Sequence, residues 1–134
     1  MFEAKQGKEI VVKFKNCIGV LFDISKLISE KGISILAVCG GVLGEEGVIR
    51  LVTDDNLRAN DVLNKSGHYA EEEDVILMEL SHKPGMLKRI TQALSLEEID
   101  IRYLYSTALT GQEKCLVVLR TSNDKHALLR LNKP

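Results

Sequence analysis

The chain has 134 residues, 45% hydrophobic and 28% charged, with 18 basic against 19 acidic side chains and a formal net charge of −1. That is enough apolar material for a compact core, and the charge balance offers no pull toward a polyanion, which argues against a nucleic-acid partner. No apolar run approaches the roughly 20 residues that span a bilayer, and the opening Met1-Phe2-Glu3-Ala4-Lys5-Gln6-Gly7-Lys8 lacks the apolar stretch of a secretion signal, so a cytoplasmic protein with no membrane partner is expected.

In chain order, residues 9–15 alternate, with Ile10, Val12 and Phe14 on one face of a strand. After a loop around Gly19 the spacing becomes helical (Val20, Leu21, Ile24, Leu27, Ile28), and Gly32 is a fitting stop. A second strand is expected over 33–43, a hairpin at Gly44-Glu45-Glu46-Gly47 and a third strand over 48–53. Asp54-Asp55-Asn56 can cap a second helix ending near Lys65, and His68-Tyr69-Ala70 can begin a fourth strand.

The pattern then recurs. At an offset of 66 (85 − 19 = 66), Val20, Leu21, Ile24, Leu27 and Ile28 return as Met86, Leu87, Ile90, Ala93 and Leu94; at 68, Leu63-Asn64-Lys65 returns as Leu131-Asn132-Lys133. Strands over 75–81, 99–109 and 115–121, a turn at Thr110-Gly111-Gln112-Glu113 and caps at Ser122-Asn123-Asp124 complete the copy. Glu98 replaces the helix-ending glycine, so that end is expected to need another cap.

The fold class is therefore α+β: two ferredoxin-like βαββαβ modules with antiparallel sheets, residues 1–70 and 71–134, the second lacking its last strand. Candidates to cover the open edge of 75–81 are residues 68–73, residues 1–8 or a strand from another chain. With Ile33, Ile35, Ala37 and Cys39 toward the helices, Leu36, Val38, Val11, Val48, Leu77, Leu104, Leu116 and Val118 give the other face an apolar surface that calls for burial. Tyr103 and Tyr105 then fill core beside the helices or line a pocket.

Cys17, Cys39 and Cys115 are odd in number and widely spaced, which argues against a disulfide framework or structural zinc and for reduced thiols in or near the core, with no metal and no cofactor. No aromatic lies on the third strands to stack bases, and no orienting group joins Cys17 or a serine to His82 for nucleophilic catalysis.

The loops between first strand and first helix carry the chemistry. Gly19 and Gly85 let backbone approach closely, and the helix amides that follow attract a carboxylate. The side-chain carbonyl of Asn16 can accept from an ammonium, whereas His82 accepts only when neutral. Asn16-x-x-Gly19-Val20-Leu21 and His82-Lys83-Pro84-Gly85-Met86-Leu87 resemble the (Asp/Asn)-x-Pro-Gly-x-Leu loop of ACT domains, with Ile18 in place of proline in the first and His82 in place of Asp/Asn in the second.

Two copies are similar to stand-alone tandem ACT proteins, which implies an amino-acid-binding regulator rather than an enzyme. In that family the loop of one module faces the second strand of another, here Val38–Gly41 or Leu104–Thr107. The implied ligand contacts are Asn16, Ile18, Gly19, Val20, Leu21, Cys39 and Gly40, with His82, Gly85, Met86, Leu87 and Tyr105 in the second copy. The implied partners are a small amino acid, a second copy of the chain and a separate regulated enzyme. The alternative is a dimerisation or protein-interaction module with no ligand, for which the loop glycines make tight turns alone.

Overall fold

A computed structural model describes residues 2–107 and 111–134. The end of the second strand predicted over 99–109 and the Thr110 start of the following turn fall outside the described residues. The chain forms two compact units, Lys8–Glu73 and Met1–Gly7 with Asp74–Pro134, called here the first and the second.

The first unit contains most of β1 (Glu3–Lys15), then α1 (Val20–Glu30), β2 (Ile35–Leu43), β3 (Glu46–Thr53), α2 (Asn56–Lys65) and the start of β4 (Tyr69–Ser81), in strand order β2-β3-β1-β4. The second contains the rest of β4, α3 (Met86–Leu96), β5 (Ile101–Thr107), β6 (Lys114–Thr121) and α4 (Asp124–Leu131), with the first residues of β1 beyond β4. The pairs β1–β3, β2–β3, β4–β6 and β5–β6 are antiparallel. This is the expected α+β, ferredoxin-like pair, and no helix among the described residues is long and apolar enough to cross a membrane.

The strand missing from the second copy is supplied by the N-terminal residues. The Phe2 amide donates to the Leu131 carbonyl at 3.2 Å, and the Asn132 side chain exchanges two hydrogen bonds with the Ala4 backbone, both 2.9 Å. Asn64 does the same for Ala70 in the first unit, at 3.1 and 2.9 Å. The repeated Leu-Asn-Lys thus has a cause: the amide side chain mimics a strand edge, giving the incoming backbone one donor and one acceptor.

Equivalent apolar positions build two helix-side cores. Ile10, Val12, Ile24, Ile28, Leu51 and Leu63 anchor the first, and Ile76, Met78, Ile90, Leu94, Leu119 and Leu131, with Phe2, the second. The predicted caps form: Asp55 accepts from the Arg58 amide and Asn123 from the His126 amide.

The end of α3 differs from expectation. Both α1 and α3 close with the same paired bonds, Ile33 N–H to Ile28 O with Gly32 N–H to Ser29 O, and Ile99 N–H to Leu94 O with Glu98 N–H to Ser95 O. No other cap replaces the glycine; Glu98 itself takes the left-handed conformation at φ 57 beside Gly32 at φ 70. For a residue with a Cβ this costs about 1 kcal/mol.

Strand parity also departs from the sequence reading. Register shifts between Ile35 and Ala37, and between Ile101 and Tyr103, insert an extra residue in each edge strand. Val38 consequently pairs with Leu51 and Leu104 with Leu119 on the helix face, while Cys39 pairs with Arg50 and Tyr105 with Val118 on the other. Tyr105 is buried, but not beside the helices. Of the face expected to be covered, Val11 and Val118 are buried and Leu36 is 47% exposed.

Candidate functional site

In the first unit the β1–α1 loop is pinned at the sheet end by the β2–β3 hairpin, the Asn16 amide donating to the Glu45 carbonyl at 2.6 Å. The second repeats this, His82 N–H to Glu113 O at 2.7 Å. Three residues later Gly19 (φ 92) and Gly85 (φ 90) turn the chain into α1 and α3. A Cβ built at either glycine would meet nothing within 4 Å, so the requirement is the positive φ rather than crowding.

The four helices differ at their starts. α2 and α4 open under the side chains of Asp55 and Asn123, whereas α1 and α3, the two that follow the candidate loops, have no side-chain cap. The first amides of both therefore lack a side-chain acceptor; the positive end of the helix dipole faces no acidic residue of the first turn in α3, whereas in α1 it faces Asp23. Asn16, Cys17, Ile18 and Gly19 are exposed, Ile18 completely at 104%, and Val20 is half-buried. His82, Gly85 and Leu87 are likewise exposed and Met86 half-buried.

The strand residues divide. The pairing of Lys15 with Glu46 and of Leu43 with Glu46 puts the loop at the same sheet end as the close of β2. Gly40 lies opposite Ile49 on the helix face, a few pairs in from the hairpin and exposed. Cys39 faces the other side, opposite Arg50, and Tyr105 is its counterpart in β5. The thiols expected in or near the core are otherwise placed: Cys17 and Cys39 are exposed, Cys115 is half-buried, and all are free, because the loop and the edge strand that carry the first two have no neighbour on that side within the unit.

Two features were missed from sequence. Glu9 is fully buried and accepts from Arg50 at 2.9 Å, with Glu73 at 3.8 Å from the same guanidinium. In the opening turn of α1, Asp23 Oδ2 lies 2.6 Å from His68 Nε2. Both join residues more than 40 positions apart, and no local pattern signals them. Elsewhere, the Tyr69 hydroxyl donates to Glu71 at 2.9 Å, which raises its pKa above the usual tyrosine value. No cluster of three or more metal-ligating side chains occurs among the described residues.

A family model described as ACT domain pair matches residues 6–131. The chain belongs to that family. Among solved structures it is similar to protein BT0572 from Bacteroides thetaiotaomicron, with 25% identity, a TM-score of 0.87 and coverage of 96% of this chain and 88% of the other. The ligand-free regulatory subunit of aspartate kinase from Thermus thermophilus shares its fold at 15% identity and a TM-score of 0.64, over 96% and 93% of the two chains. Aspartate kinase from Clostridium acetobutylicum does so at 15% identity and 0.57, with 97% of this chain covering 33% of that enzyme. No curated protein sequence matches.

Proposed function

We propose that this ACT pair is a cytoplasmic regulatory module that binds a small amino acid at its β1–α1 loops and acts on a separate enzyme. The observation that carries this reading is the contrast in capping: the helices behind the two loops start without a side-chain cap, while the other two are capped. Open amides of α1 suit the α-carboxylate, and the exposed Asn16 carbonyl suits the α-ammonium. The loop of the second unit, with His82 at the equivalent position, supplies a carboxylate site with a poorer acceptor. Similarity to aspartate kinase regulatory subunits supports regulation as the role.

Because the first loop is exposed within its own unit, a second copy is the natural cover. β2 is an edge strand of nine residues without a charge, and Val38, Val42 and Leu43 are 45%, 53% and 89% exposed. An uncharged, unpaired edge of this kind favours pairing with another strand. Val42→Lys should convert a dimer to a monomer in light scattering.

The test is a thermal-shift screen of the common amino acids on wild type, Asn16→Ala and Gly85→Val. A true ligand at 100 times its Kd adds about 2.7 kcal/mol to stability. Loss of that shift in Asn16→Ala assigns the first loop; no shift from any amino acid in wild type overturns ligand binding and leaves the interaction-module reading.

A further inference from the structure

We propose that His68 controls how strongly the first loop holds a carboxylate: protonation of its imidazole neutralises Asp23 in the opening turn of α1. The inference rests on the amino-acid reading above and names a regulation of that site.

Asp23 is the acidic residue of the first turn of α1, its amide bonded to the carbonyl of Gly19. A fixed carboxylate there uses the same positive helix end that a ligand carboxylate would use, and it repels that ligand. His68 Nε2 sits 2.6 Å from Asp23 Oδ2, with the imidazole 17% exposed and the carboxylate 53%. The main chain of His68 is anchored at the end of α2, its amide donating to the Leu63 carbonyl at 3.0 Å. As neutral imidazole it leaves the negative charge of Asp23 in place, and as imidazolium it cancels that charge at contact distance.

Other charged groups near His68 along the elements it joins have partners of their own or lie a turn away. Lys65 of α2 is 3.0 Å from Asp61, Tyr69 bonds Glu71 in β4, and Lys26 lies three residues beyond Asp23 on α1.

The second unit is an internal control. Arg89 stands where Asp23 does (23 + 66 = 89), and Phe2, whose amide donates to Leu131 as that of His68 donates to Leu63, stands where His68 does; there the guanidinium lies 5.4 Å above the phenyl ring. That pair carries no group that titrates near neutral pH. The same junction thus holds an imidazole–carboxylate pair in one copy and a guanidinium–phenyl pair in the other.

The experiment titrates each common amino acid into the full chain by calorimetry at about pH 5.5 and about pH 8, for wild type, His68→Phe and Asp23→Asn. Wild type should bind about threefold more tightly at the lower pH, the scale of one screened charge near the ligand. His68→Phe should flatten the ratio at the weaker, high-pH level, and Asp23→Asn should bind at about pH 8 as tightly as wild type does at about pH 5.5; the second variant decides if the first does not fold. The remaining histidines, His82 in the other loop and His126 beside Glu97, are unchanged in both variants. A wild-type ratio that persists in His68→Phe, an Asp23→Asn variant that binds at about pH 8 no better than wild type does there, or no ratio at all overturns this inference alone. No binding at either pH overturns it together with the amino-acid reading.

Discussion

At the place where the first unit buries Glu9 against Arg50, the second has Val75 and Val118, both fully buried. The offsets that align the copies make these the same sites on β1 and β4 and on β3 and β6. One fold therefore accepts an ion pair or two β-branched hydrocarbons on its helix-free face. A buried pair of this kind adds little over an apolar pair of similar volume, yet loss of one partner strands a charge. The same contrast recurs at the helix ends, Gly32 against Glu98, and at the α1 and α3 junctions, His68–Asp23 against Phe2–Arg89.

The largest test of that comparison breaks it at Glu9. Glu9→Ala should lower the unfolding free energy by about 3 kcal/mol, the scale of a lost charge-assisted hydrogen bond, whereas Glu9→Val combined with Arg50→Val should recover most of it. Chemical denaturation measures both, and a double variant as unstable as the single would show that the two faces are not equivalent. Next is Phe2→Ala, which removes a ring 91% covered at the end of the added strand and should cost about 3 kcal/mol. A smaller effect, of opposite sign in the two copies, is expected at the helix ends: Glu98→Gly should stabilise by about 1 kcal/mol and Gly32→Ala should destabilise by a similar amount. Equal signs would remove the strain assigned to Glu98. Smallest is Gly85→Ala: with open space around the Cβ and φ of 90, about 1 kcal/mol should be lost through backbone strain alone.

What the sequence disclosed follows from periodicity. Ile24 and Ile28, and Ile90 and Leu94, lie one helical turn apart, so α1 and α3 were legible, as were the caps at Asp55 and Asn123. The extension of β1 to Glu3 was not, because Glu3, Lys5, Gln6 and Lys8 give no apolar alternation and the strand is held by backbone and Asn132. Nor was the face of Tyr105, since the irregularity after Ile101 reverses parity without a glycine or proline to mark it. In the candidate site the loops and their glycines were readable as a motif; the partnership of Asp23 with His68 depends on tertiary placement and left no trace in local spacing.

The hydrogen bond from Phe2 to Leu131 and the clasp of Ala4 by Asn132 set an order of assembly. The unit spanning Lys8–Glu73 can close on its own residues, whereas the residues before Lys8 gain the clasp of Asn132 only once α4 has formed. The second unit therefore completes its outermost strand by joining residues 128 positions apart. Slow, late closure over so long a loop is the kinetic signature this topology predicts.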